Sequence, residues 1–341
     1  MSNGEGGMAD GAFVELARVW RGPVVESCHR GVVAVADATG TIRQAWGDPG
    51  LVTTPRSSLK PFQAVALVES GAADAFALGE AHIAMACASH HAQPFQVAIV
   101  QEWLARLGLE ESNLVCGPDL PRGREDLLAA ARAGGPRRVF HNCSGKHCGF
   151  LTVARHLRAD LGYADPAHPA QRLYLDILSD LIGRDAASLL RGTDGCGLPA
   201  LALSVGEMAV AAARFGAVAV AGGARQAAMR RVLQAMRDHP DHLSGRDEPT
   251  ARLVRGTGGR VLLKTGAEGF LLAMVPDQGL GVAVKLADGA GRAKFGVLAR
   301  ALALAGALPA AEAEALLPQL EPAILDSNGG AVGAIEILLG G

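Results

Sequence analysis

Strand-like and helix-like patterns are distributed unevenly along this chain, and that distribution constrains the fold more than any other feature. Residues 24–25 and 32–36 are rich in β-branched, apolar residues, Asp37-Ala38-Thr39-Gly40 supplies a turn, and residues 41–46 return as a partner strand. Between residues 60 and 237 apolar residues recur three and four apart, as in 62–69, 96–107, 173–182 and 200–215, which is the helical period. Gly and Pro clusters break this region at 117–118, 134–136 and 195–199. Strand patterns return at 260–264, 269–275 and 281–286. A helix is expected over 292–305, and one more strand over 332–337. An antiparallel sheet built from both chain ends, with a mostly helical middle, makes a single α+β unit. The expectation is a flexible Gly-rich segment over residues 1–12 and one domain over residues 13–341.

Composition removes several functional classes. Hydrophobic residues make up 49% of the 341 positions and charged residues 19%, enough for a sizeable core. Aromatics are only 4%, so helices must pack on small and aliphatic side chains. The formal charge is -2 and no Lys/Arg cluster stands out, so no nucleic-acid partner is expected. Residues 1–12 lack the basic and apolar regions of a secretory signal, and the most apolar stretch, 201–224, is interrupted by Glu207 and Arg214. The expected setting is cytoplasmic, with no membrane partner. In a reducing compartment the six cysteines are free thiols or metal ligands rather than a disulfide framework.

The chemistry centres on Pro55-Arg56-Ser57-Ser58-Leu59-Lys60-Pro61, where a helix begins. Ser57 and Lys60 are three positions apart, so one helical turn brings them to one face. Serine needs a base to take its proton, and lysine serves only when burial or nearby positive charge keeps it neutral. Taken alone, the same residues also describe a helix N-cap followed by an ordinary lysine. Lys264-Thr265-Gly266, on a late strand, gives the motif its partner: Ser-x-x-Lys with Lys-Thr-Gly is the pairing of serine β-lactamases and penicillin-binding proteins. Those enzymes also carry a Ser-x-Asn element, whereas here Ser89-His90-His91 places His at the third position.

Two further segments are unusual. Residues 141–149, His-Asn-Cys-Ser-Gly-Lys-His-Cys-Gly, read as a dense polar loop; Phe140 and His147 exclude a phosphate-binding loop there. Thr193-Asp194-Gly195-Cys196-Gly197-Leu198-Pro199 is a Gly-rich turn with a second cysteine. By spacing alone Cys143 and Cys196 read as buried structural cysteines, and His82, His90 and His91 carry no metal-ligand pattern.

Taken together, residues 24–31, 55–61, 87–91, 141–149, 193–199, 264–269 and 285–289 resemble the rhizobial-type L-asparaginases (type II, class 3). The resemblance implies a serine β-lactamase-like fold and hydrolysis of L-asparagine to L-aspartate and ammonia. It implies two serine–lysine tandems, Ser57 with Lys60 and Ser89 with Lys264, and a Zn2+ site made by Cys143, Lys146 and Cys196 with Asp194 close by. A lysine ligand must lose its proton to bind, so such a site weakens as pH falls. Arg56 is a candidate partner for the substrate carboxylate, with Asp194 beside it. Glu26 and Arg30 either shape the pocket or form a strand-end ion pair. The resemblance also implies a homodimer. Two other readings stay open: a serine hydrolase of the same fold acting on another amide or ester, and a non-catalytic, zinc-stabilised ligand-binding protein.

Overall fold

The computed structural model describes residues 10–218 and 222–340. Of the N-terminal segment expected to be flexible, residues 1–9 lie outside the described residues, and Asp10–Ala12 forms a 3-10 turn with Ala12 buried. An eight-stranded antiparallel sheet carries the fold. Its strands are β1 (Val14–Arg21), β2 (Val24–Asp37), β3 (Ile42–Trp46), β4 (Leu262–Thr265), β5 (Phe270–Val275), β6 (Leu280–Leu286), β7 (Ile324–Leu325) and β8 (Ala331–Ile337). The order is β7-β8-β1-β2-β6-β5-β4, with β3 pairing to β2 off this path. Strands from the two chain ends meet where β2 pairs β6, from Asp37 against Leu280 to Gly31 against Leu286. This is the sheet expected from the pattern, with two strands more: β1, whose charged residues Glu15, Arg18 and Arg21 fall three apart and break the strand period, and β7, only two residues long.

Every residue from Gly281 to Leu286 is buried, which requires cover on both faces of the sheet. Two helices pack on these central strands and supply it, α5 (Val205–Gly216) and α7 (Lys294–Leu304). Where α5 crosses β6 the two backbones nearly touch. A Cβ on Gly281 would sit 2.1 Å from the Ala209 carbonyl oxygen, so only glycine fits. The remaining helices form a layer of their own, in which α1 (Lys60–Glu69) packs against α3 (Ser144–His156), α4 (Pro169–Ile182) and α6 (Ala224–Asp238), while α2 (Glu80–Ala86) packs on α3 and α6.

Two segments depart from the sequence reading for identifiable reasons. The helix expected over 200–215 begins only at Val205, because Pro199–Leu201 and Leu203–Ser204 are short strands. Ser204 then caps the helix, its hydroxyl accepting from the Glu207 N–H while the Glu207 carboxylate accepts from the Ser204 N–H. The segment 141–149, expected as a loop, instead enters α3 at Ser144. Ser144 to Ala154 is buried on every side, so no amphipathic stripe announces the helix. Gly145 lets α3 approach α2 closely, since a Cβ there would lie 2.3 Å from the Met85 carbonyl oxygen. No helix among the described residues is long and apolar enough to cross a membrane.

Candidate active site

Ser57 lies in a 3-10 turn, Arg56–Leu59, that runs directly into α1, and the Lys60 N–H donates to the Ser57 carbonyl. The residue before the serine, Arg56, has φ +48°, a left-handed conformation that a long side chain adopts only under constraint. Arg56 Nε donates to Asp194 Oδ2 at 2.9 Å, which holds the arginine in place. The turn is also tied to β4, because the Ser58 hydroxyl donates to the Lys264 carbonyl at 3.1 Å. Gly266 passes beneath it: a Cβ there would fall 2.4 Å from the Pro55 carbonyl oxygen and 2.9 Å from Ser58 Oγ. The glycine of Lys264-Thr265-Gly266 therefore sets the distance between the serine turn and the strand bearing the second lysine.

Both lysines are fully buried and converge on one hydroxyl. Lys264 Nζ lies 2.7 Å from Ser89 Oγ, and Lys60 Nζ lies 3.1 Å from the same atom. Lys60 Nζ also reaches the carbonyls of Ala88 and Asn142, and Lys264 Nζ that of Thr265. Ser57 is not among the hydrogen-bond partners of Lys60. The structure thus joins Lys60, Lys264 and Ser89 in one cluster, pairs Lys60 with Ser89, and sets Ser57 on the wall of the same cavity as Ser89. Desolvation pushes both amines below their ordinary pKa of 10.5, Lys264 furthest, and each faces further positive charge: Lys60 and Lys294 around Lys264, Lys146 around Lys60.

Ser57 and Ser89 line a cavity of about 360 Å³, together with Arg56, Asp194, Cys143, Cys196 and residues 265–267. Ser57 stands in the first turn of its helix, where an N–H has no intrahelical partner, and its N–H and that of Ala267 make no hydrogen bond to a described residue. Arg56 and Asp194 were expected to contact substrate. They line the cavity but neutralise each other, and Asp194 stays near pKa 2: burial pushes it up, while the Arg56 hydrogen bond, the Lys146 charge and the Cys196 N–H outweigh burial. Glu26 and Arg30 do not line this cavity. Glu26 binds Arg21 at 2.7 Å, and Arg30 donates to the Phe13 carbonyl.

The three expected metal ligands sit together beside the serines. Lys146 Nζ is 2.9 Å from Cys196 Sγ, and Cys143 hydrogen-bonds Cys196. The bond with Cys196 and the nearby Lys60 and Lys146 charges favour a Cys143 thiolate against the cost of burial, and the same bond keeps the proton on Cys196. Burial works against the Lys146 ammonium, but the facing Cys143 and Cys196 sulfurs and Asp194 hold its proton above the ordinary 10.5. Two sulfurs and a nitrogen form a donor set that zinc accepts. Two thiolates and a neutral amine would balance the charge of a dication. Among the described residues no three of His, Cys, Asp and Glu converge, so a metal here would need Lys146 as its third protein ligand. His90 is structural. His90 Nδ1 accepts from the Ala92 N–H, its Nε2 lies 2.7 Å from Ser144 Oγ, and burial drives its pKa down to about 3.

The family model for L-asparaginase II matches residues 17–337. The chain belongs to the L-asparaginase II family. No curated protein matches the chain. Among solved structures it is similar to Mglu in its native form, at 16% identity and TM-score 0.46, over 82% of this chain and 64% of that one. It is also similar to a β-lactamase of Mycobacterium bovis, at 15% identity and TM-score 0.37, over 85% of this chain and 94% of that one. A third is a D-alanine carboxypeptidase of Burkholderia cenocepacia, at 13% identity and TM-score 0.40, over 82% and 93%.

The sequence reading missed part of the cavity wall. Asp119, Arg122, His141 and Lys294 line it as well. Each is an isolated polar residue in a segment without a motif, so only the fold brings it to the site.

Proposed function

We propose that the protein hydrolyses the side-chain amide of L-asparagine through an acyl-enzyme on Ser57. The observation that carries this reading is one hydroxyl, Ser89, shared by two desolvated lysines beside a second serine at the cavity wall. Ser57 Oγ attacks the amide carbon and its proton passes to neutral Lys60. The developing oxyanion is met by the Ser57 and Ala267 N–H groups, which are free for it. The carbon–nitrogen bond then breaks as Lys60 returns a proton to the leaving nitrogen, giving ammonia and a β-aspartyl ester. Water, deprotonated by the lysine pair, cleaves the ester and restores Ser57. Ser89 can donate to one amine while accepting from the other, so it carries protons between Lys60 and Lys264. The test is ammonia and aspartate release from L-asparagine, set beside L-glutamine, by purified protein. Rapid turnover of asparagine is the expected result, and inertness toward both amides in folded protein would sink the reading.

We propose further that Cys143, Lys146 and Cys196 hold a zinc ion at the cavity wall. When bound, the ion would supply a fixed positive charge near the substrate's polar end. Elemental analysis of protein purified without chelator is expected to find zinc stoichiometric with the chain. In Cys196→Ser the zinc should be lost. Metal-free wild-type protein would rule the site out.

A cytoplasmic setting and a homodimer remain part of this proposal, resting on the sequence pattern and the family resemblance respectively.

A further inference from the structure

Resting on the amidohydrolase reading, one question concerns which group recognises the amino-acid end of the substrate. Arg56 was the sequence-level candidate, but its guanidinium is already engaged by Asp194. Two other cations line the same cavity, Lys294 and Arg122.

Lys294 is placed where a lysine is costly. It is the first residue of α7, so its ammonium stands at the positive end of the helix. The residue is 9% exposed. No hydrogen bond or salt bridge joins its Nζ to any described residue, and it stands over the Phe295 ring, 5.6 Å from Nζ to centroid. The one acidic group close behind it, Glu321, is committed elsewhere. Glu321 Oε2 accepts from the Ala293 N–H at 2.9 Å, and Oε1 accepts from the N–H groups of Phe295 and Gly296 at 3.1 Å. The helix end is therefore already capped, and the lysine is not the cap's counter-ion. A buried ammonium without a partner is unfavourable in the empty cavity and is relieved when an anion enters. Arg122 is exposed and also lines the cavity, three residues beyond Asp119, another lining residue, whose Oδ1 accepts from the Leu120 N–H.

We infer that the Lys294 ammonium, assisted by Arg122, anchors the α-carboxylate of the substrate and makes the site selective for amides of free α-amino acids. The α-ammonium group then falls to Asp119, the acidic liner not consumed by Arg56. Burial lowers the Lys294 pKa, with Arg122 adding to the effect and Glu321 opposing it, and an incoming carboxylate restores the charge.

The experiment compares L-asparagine with β-alaninamide, which is asparagine without its α-carboxylate, on wild-type, Lys294→Met and Lys294→Arg proteins. For Lys294→Met, kcat/KM on asparagine is expected to fall about 10- to 100-fold, chiefly through KM, as for loss of one charge-assisted hydrogen bond. Turnover of β-alaninamide should fall far less than that of asparagine, because it never engages the lysine and feels only the lost charge beside Lys264. Lys294→Arg should recover most of the loss on asparagine. Equal losses on both substrates would mark a merely structural role and overturn the inference, as would an unchanged KM. If the wild-type protein releases no ammonia from asparagine, the amidase reading fails separately. The anchor is then read by calorimetric titration with succinate: binding that disappears in Lys294→Met upholds it, while equal binding in both proteins, or none in wild type, overturns it.

Discussion

Replacing Ser57 by alanine is expected to lower kcat on asparagine by at least about 10⁴-fold, because members of a nucleophile–base unit fail together. The structure offers two serines, and the distinction between them is physical. Ser89 Oγ is already engaged by two lysine amines, an arrangement suited to moving protons. The Ser57 side chain makes no hydrogen bond to a described residue, lines the cavity and follows the left-handed Arg56. It also sits beside two unengaged N–H groups. Ser89→Ala should therefore cost less, about 10²- to 10³-fold, and still allow an acyl adduct to form on Ser57. Mass spectrometry of protein quenched during turnover decides the matter. An adduct mapped to Ser89, or normal turnover by Ser57→Ala, would reverse the assignment.

Much of this site could be read from the sequence, and the reason is local. Ser57 and Lys60 lie within one turn, and Lys264, Thr265 and Gly266 stand on one strand, so short spacing sufficed to place them. Their physical requirements are visible in composition: Gly266 must be glycine because the Pro55 carbonyl leaves no room for a Cβ. The cysteines were different. Cys143 and Cys196 are 53 positions apart and lack paired spacing, so only the family resemblance joined them; the fold does so through the close packing of α3 at Gly145 and the Asp194 turn. What could not be read was whatever depends on burial at a distance. Ser144 to Ala154 of α3 are buried whether polar or apolar, so the helix carries no stripe. Lys294 and Arg122 reach the cavity only because α7 and the loop before Gly123 converge there. Likewise, no sequence rule reveals that Arg56 is consumed by Asp194, since the two residues meet only in three dimensions.

Lys264→Met should separate function from stability most sharply. Activity is expected to fall about 10²- to 10⁴-fold, the usual cost of removing a proton-transfer group. Stability should hold or rise at neutral pH. The folded protein keeps the Lys264 amine buried, with its pKa depressed by desolvation and by Lys60, further lowered by Lys294, and partly restored by Cys143 and Cys87. The unfolded chain titrates near the ordinary 10.5. Between those two values the unfolded state binds a proton that the folded state does not, so this lysine penalises folding. The penalty is complete below the folded pKa, shrinks as pH rises through the window and vanishes above 10.5. Methionine fills similar space without a charge, and Ser89 keeps its bond to Lys60. Thermal melts across the pH range should accordingly show the variant's advantage to be largest toward neutral pH and to disappear as pH approaches 10.5. A variant destabilised equally at every pH would mean that Lys264 acts chiefly as a packing element. The proton relay between the two serine–lysine pairs would then lose its support.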